Sequence, residues 1–286
     1  MSGYYGKPIV RPHIWKDSIA WYFFTGGLAG ASSVIAAAAE LTDRPEIARH
    51  ARRAAIIGLV PSPVLLIHDL GRRSKFYNML RVFKPSSPMS VGSWLLTAYS
   101  PAAGGALVLQ ELGRLPRLAR ALGLAAGVVG PTIATYTAVL VADTATPAWH
   151  EARHELPVVF AGSALASGAA ATTTLAALAD SPTTLTARAG ALGAVVEIAT
   201  SKVMQQRLGE LDVYSSDPAT KRFDRAATVL SLGGALGSLL SRGRRVPTLL
   251  SSAALLAGSV CTRFAVTHAG TASASDPESV LIAQAS

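Results

Sequence analysis

The residues of this chain best suited to chemistry are Tyr136, the adjacent pair His68–Asp69, and the charged residues Glu197 and Arg263, which stand inside apolar runs. An imidazole beside a carboxylate is a natural proton acceptor and relay. A phenol can donate a hydrogen bond to a carbonyl oxygen. Glu197 follows Ala189–Val196 and precedes Ile198–Ser201, so its carboxyl falls in the middle of an otherwise apolar segment. Placing a carboxylate there in hydrocarbon costs roughly 2.5–3.5 kcal/mol on insertion scales, a cost that selects for a partner or a function. Arg263 is the counter-charge the sequence offers. The two read either as an ion pair locking two helices or as the lining of a proton path. A further polar group, His13, Trp15, Lys16 and Asp17, leads into the first apolar run, and Arg72 and Arg73 follow His68–Asp69. Trp and Lys at such places also serve as ordinary interfacial anchors.

These side chains are strung on segments that lipid would hold. Ser18–Ala39 carries no charged side chain, and at ~1.5 Å per residue it is long enough to cross ~30 Å of hydrocarbon. Eight such stretches are expected, at about 18–40, 53–70, 89–111, 119–142, 156–179, 186–208, 224–241 and 246–267. The reading is an all-α polytopic membrane protein, residues 1–286 forming one integral membrane domain. The second stretch is interrupted by Pro61 and Pro63, which predicts a kink whose freed carbonyls need other partners. Gly26, Gly27 and Gly30, and again Gly233, Gly234 and Gly237, recur at one-turn spacing and predict close helix packing. Composition agrees. The chain is 50% hydrophobic and 15% charged, against about 25% charged for a soluble domain, and its mean hydropathy is +0.36.

The net charge of +9 does not point to nucleic acid, because the basic residues sit in short inter-helix connections as topology signals. Eight helices put both termini on one side. The short basic connections, such as Arg242–Arg245, belong in the cytoplasm by the positive-inside rule, leaving the termini on the outer face. One cysteine, Cys261, cannot ligate an iron–sulfur cluster alone, since clusters take about four ligands. The six histidines are expected in loops or at helix ends, which leaves no axial pair for haem inside the membrane. His150-Glu-Ala-Arg-His154 matches the zinc-protease pattern, but that chemistry needs both histidines on one helical face, and Pro147 and Pro157 leave little room for the helix.

Several segments, in order, resemble the NrfD-type, PsrC-like membrane subunits of bacterial oxidoreductases. They are Tyr22-Phe-Phe-Thr-Gly-Gly-Leu-Ala-Gly30, Asp69-Leu-Gly-Arg72, Ser87-Pro-Met-Ser-Val-Gly-Ser-Trp94, Tyr136-Thr-Ala-Val-Leu-Val-Ala with Pro147-Ala-Trp149, and Leu156 to Gly168. Arg263, Ala269-Gly and Asp276-Pro277 complete the series, so the resemblance runs over nearly the whole chain. It implies a haem-free subunit that binds menaquinone or ubiquinone near one membrane face. A ferredoxin-like iron–sulfur subunit docks there and passes electrons to or from a catalytic subunit, commonly of the molybdopterin class. Carried over, the quinone-bonding positions fall on Tyr136 and on Lys16 or Asp17, with His13 as a substitute. Asp69 and Arg72 match the motif of the second helix, and Glu197 and Arg263 match positions associated with proton conduction.

The expectation is therefore a quinone/quinol-handling membrane subunit of a multisubunit respiratory oxidoreductase, not catalytic alone, in the cell membrane. Its head-group site is expected between the first, second and fourth helices, with His68, Asp69, Glu197 and Arg263 serving protons. Tyr136, Lys16, Asp17, His13 and Arg72 would bind the quinone. The alternative from another class is a polytopic ion or small-molecule transporter in which Glu197 and Arg263 line the path.

Overall fold

The computed structural model describes residues 17–70, 72–211, 213–276 and 279, the side chain of Glu210 excepted. Lys16 and His13 lie outside the described residues. The described chain is helical throughout. Its elements are α1 (Asp17–Leu41), α2 (Pro45–Leu59), α3 (Pro61–Asp69), a 3-10 turn (Arg73–Leu80), α4 (Pro88–Glu111), α5 (Pro116–Ala142) and α6 (Pro147–Glu151). After these come α7 (Leu156–Leu178), α8 (Thr184–Leu208), α9 (Val213–Ser216), α10 (Pro218–Leu240) and α11 (Arg245–Ser275). Five helices are long and apolar enough to cross a membrane: α1, the continuous pair α2–α3, α5, α7 and α11. The helices α4, α8 and α10 have 24, 25 and 23 residues and run beside them.

The long helices alternate in direction. Connections around residues 42–44, 112–115, 179–183 and 241–244 gather on one side, the short-loop face. The start of α1, the 3-10 turn, α6, α9 and the end of α11 share the other, the terminal face. Contacts between elements confirm the arrangement. His50 Nε2 lies 3.2 Å from Ser181 Oγ at the short-loop face, and the Trp149 indole donates to Val266 O at 2.7 Å near the terminal face.

Helix α1 is the centre of the bundle. It touches α2, α3, α5, α7 and α11, and 78% of its apolar window is buried, against 44% for α5. Small residues make this possible. A Cβ on Gly30 would fall 2.9 Å from Ala134 N and closer still to Gly130 O, so α1 and α5 cross almost backbone to backbone. A buried hydroxyl also ties two neighbours together. The Tyr99 hydroxyl of α4 donates to Ala29 O at 2.7 Å and meets Ser33 Oγ at 2.7 Å.

The second span differs from its expected form. It starts at Pro45 rather than near 53, because Arg52 and Arg53 are neutralised by acceptors on other helices. Arg52 donates to Glu40 Oε2 at 2.6 Å and Gln110 Oε1 at 2.7 Å, and Arg53 pairs with both Glu111 oxygens at 2.8 and 2.9 Å. The prolines do not open a gap. Val60 keeps helical angles, φ −58 and ψ −46, Ser62 Oγ donates to the carbonyl of Gly58 at 2.8 Å, and Thr25 Oγ1 of α1 lies 2.9 Å from that same Oγ. The last helix runs to Ser275, past the expected end near 267.

Candidate functional site

Between α4 and α5, at the terminal face, the surface opens into a groove of about 640 Å³. Its walls are largely apolar, with Pro88, Val91 and Leu95 on one side and Val139 on the other. The polar groups are Ser86 before α4, Thr132, Thr135 and Tyr136 from α5, Asp143 at its end, and His150, Arg153 and His154 from α6 and the turn after it. A mostly apolar cleft of this size with a small set of polar groups is the usual form of a small-molecule site. Two prolines inside the walling helices, Pro101 in α4 and Pro131 in α5, each remove one backbone hydrogen bond, a known source of kinks.

Tyr136 is the wall between this groove and the interior. On its inner side lies a cavity of about 40 Å³ lined by Tyr22, Asp69, Met79, Ser93 and Tyr136. That is room for about one water molecule. The ring is seated by Gly92, where any Cβ would overlap the tyrosine ring. Unlike the Tyr99 hydroxyl, the Tyr136 hydroxyl makes no hydrogen bond among the described residues.

A second polar centre lies deeper, between α7, α8, α10 and α11. Glu197 is 2% exposed and Arg263 1%. Thr262 Oγ1 donates to Glu197 Oε1, and the hydroxyls of Ser163 and Ser231 are close to the carboxyl. Arg263 lies over the Phe160 ring, 3.7 Å from its centroid, and donates to Phe160 O at 3.0 Å. Its Nε and Nη1, like Glu197 Oε2, are buried without a hydrogen-bond partner among the described residues. The two charges are near enough to interact but do not form a direct ion pair among those residues, so a locked helix-to-helix bridge is not what this pair makes. Glu197 instead lines a narrow cleft of about 20 Å³ with Ser201, Tyr214, Asp224, Thr228 and Thr262. Asp224 accepts from Gln205 at 2.7 Å, so the cleft joins the mid-bundle carboxyl to a carboxylate near the terminal face.

The family model described as polysulphide reductase, NrfD, matches residues 9–204. The chain belongs to the NrfD family. It is accordingly a multi-pass membrane protein of a family whose members are membrane subunits of polysulfide-reductase-type oxidoreductase complexes. The match is shorter than the sequence resemblance suggested. It ends inside α8, leaving α10 and α11, with Arg263 and Asp276-Pro277, beyond it. A comparison with curated proteins returned no match.

Within this NrfD chain the sequence candidates separate. Tyr136 and Asp69 meet across the small cavity, as two of its lining residues. His68, next to Asp69, is exposed and lines neither space, because the helix turns consecutive residues ~100° apart. Arg72 is exposed in the turn after α3, and Asp17 is exposed in the first turn of α1. Trp149, from the Pro147-Ala-Trp149 segment, is 2% exposed. It pins α6 onto α11, where a Cβ on Gly270 would overlap the indole.

Histidine placement needs two corrections. His50 lies inside α2, and His268 lies inside α11, stacked on Phe223 with ring centroids 5.3 Å apart. They stand toward opposite faces, His50 by the short loops and His268 toward the terminal end. His150 and His154 are groove residues that sequence reasoning passed over. Their signal was present in the His-Glu-x-x-His pattern but was weighed only as a zinc motif. The helix that would have to carry both ends at Glu151, so His154 follows in a turn and both reach the groove.

Proposed function

We propose that this NrfD chain is the quinone-handling subunit of a membrane oxidoreductase complex, exchanging electrons between the quinone pool and an iron–sulfur partner. The observation that supports it most is the groove at Tyr136. At about 640 Å³ it has room for a quinone head group, and it is apolar along the flank of the bundle, with most of its polar groups near the terminal face. The donor set fits such a ligand: a phenol and Thr132 for a carbonyl oxygen, with His150 and His154 nearer the water. Bound there, a quinone supplies the two-electron, two-proton redox change. The chain orients it and delivers protons.

In this reading Tyr136 donates its unengaged hydroxyl to the head group. His150, His154 and Asp143 exchange protons with the aqueous phase on the groove side, while Asp69 does so through the inner cavity. The site lies between α4 and α5, displaced from the position expected between α1, α2–α3 and α5, since the inner space is water-sized. Lys16, Asp17, His13 and Arg72 take no assigned part. The eight long helical rods cross the membrane in this reading. The terminal face, which also exposes Phe76, Tyr77 and Phe83, receives a ferredoxin-like subunit linked to a molybdopterin-class catalytic subunit. The quinone of this reading is menaquinone or ubiquinone. The cleft from Asp224 to Glu197, with Arg263 beyond it, is the route by which protons enter the bundle.

The test uses the assembled complex with a quinone and with an artificial acceptor that draws electrons from the soluble subunits. Tyr136→Phe removes one neutral hydrogen bond, worth about 0.5–1.5 kcal/mol, so quinone-linked turnover falls about 2- to 13-fold. Activity with the artificial acceptor stays at the wild-type level. Asp69→Asn lowers quinone turnover further, since it removes a proton acceptor. Wild-type quinone activity in both variants overturns the assignment, and equal loss with both acceptors assigns these residues to assembly.

A further inference from the structure

The short-loop face carries a second cavity, of a chemistry unlike that of the groove. A cavity of about 230 Å³ opens there between the ends of α1 and α4 and the starts of α2 and α5. Four arginines line it, Arg49, Arg52, Arg114 and Arg120, against one carboxylate, Glu40. Glu40 is already shared, 2.6 Å from Arg52 and 3.8 Å from Arg120. Arg49 and Arg114 make no ion pair among the described residues.

Two further features point the same way. The cavity receives the N-termini of two long helices, α2 at Pro45 and α5 at Pro116, and neither has a side-chain cap. Free N–H groups at a helix start carry partial positive charge and bind anions. Arg52 is 8% exposed, is anchored by Glu40 and Gln110, and has its Nε buried against Gly123 with no hydrogen-bond partner among the described residues. Arg52 thus fixes the wall of the cavity, and Arg49 and Arg114, which line it without an ion pair among the described residues, are left to meet an anion. Three positive charges remain after Glu40 is counted.

We propose that this cavity binds a phosphate anion, and that its source is the head group of an anionic phospholipid. Phosphate suits the site because guanidinium forks match its oxygens. The lipid source is favoured by what flanks the arginines. Leu112, Leu115 and Leu118 are exposed beside Arg114 and Arg120, an apolar ledge on which acyl chains can lie. Basic pockets between transmembrane helices are a recurrent form of anionic head-group recognition.

The test is lipid binding to the purified full-length chain in detergent, followed by native mass spectrometry. Phosphatidylglycerol, phosphatidylcholine and inorganic phosphate are the probes. Wild type should hold phosphatidylglycerol at least about tenfold more tightly than phosphatidylcholine, and millimolar inorganic phosphate should not displace it. Removing Arg49 and Arg114 together (Arg49→Ala, Arg114→Ala) should cost about fivefold per arginine. Arg117→Ala, an exposed arginine of the same face outside the cavity lining, should change nothing. If the double variant does not fold, Arg114→Ala alone, in the connecting loop, reads the same site. Equal retention of both lipids, or unchanged affinity in the Arg114 variants, overturns the site. Displacement by inorganic phosphate at equal affinity overturns the lipid source. None of these outcomes depends on quinone activity.

Discussion

Two tyrosines on neighbouring helices show how a single hydroxyl separates structure from chemistry. Tyr99 is fully buried and spends its hydroxyl on Ala29 O and Ser33, so it holds α4 against α1. Tyr136 is half-buried, faces two spaces, and keeps its hydroxyl unengaged. The seat for that ring is one glycine. Gly92→Ala should push the ring toward the groove and reduce quinone-linked turnover to about the level of Tyr136→Phe, within a factor of roughly 2–13 of wild type. Preserved turnover at wild-type rate would show that the ring position is unimportant. Thr262 offers a different readout. Its hydroxyl is a buried donor to Glu197, and Thr262→Val removes it while nearly conserving volume. The carboxyl then loses a buried partner, and stability should fall by about 1–3 kcal/mol, measurable as a lower denaturation midpoint of the chain in detergent.

Helix by helix, apolar length was legible in the sequence and electrostatic context was not. Ser18–Ala39 predicted α1 to within a residue at its N-terminal end, because one uninterrupted apolar run can form only one kind of element in lipid. The second span lost its first two turns in that reading, since Arg49, His50, Arg52 and Arg53 look like a loop until Glu40, Gln110 and Glu111 are brought alongside. Those acceptors come from two other helices, and no local pattern encodes their meeting. The groove was missed for a related reason. Its walls, α4 and α5, follow one another in the chain, but its histidines come from α6 and the turn after it, which Trp149 pins to α11. The packing also sets what each contact is worth. Gly30→Val should force α1 and α5 apart at their backbone crossing and cost about 1–3 kcal/mol or more. Arg53→Ala breaks an exposed pair, with side chains 41% and 44% exposed, and should change stability by about 0–1 kcal/mol. Thermal melts of both variants in one detergent compare them directly, and equal losses would contradict the ranking.

At the scale of the whole molecule, charge and site chemistry divide the two faces. The short-loop face presents Arg49, Arg114, Arg117, Arg120, Arg242, Arg244 and Arg245 in connections of a few residues and at helix ends. Basic residues within about 15–20 residues of a helix end are those the positive-inside bias counts, and acidic ones contribute little. That bias predicts this face in the cytoplasm, where it would also meet the anionic leaflet that its arginine-lined cavity suits. The terminal face, with Asp143, His150 and the mouth of the groove, then faces outward. Cys261 is the only cysteine, so orientation can be read chemically. In a Cys261→Ser background, a cysteine placed at exposed Asp143 should react with a membrane-impermeant thiol reagent applied to intact cells stripped of their wall. One placed at exposed Arg242 should react only after the membrane is opened. Labelling of position 242 and protection of position 143 in intact cells would invert the assignment, and with it the side on which the proposed iron–sulfur partner would reach the groove. Labelling of both from outside would mean that the span count between residues 143 and 242 is even. The eight-span reading expects an odd number there: α7, α8 and α10 each reverse the chain, which puts the two positions at opposite ends of the bundle.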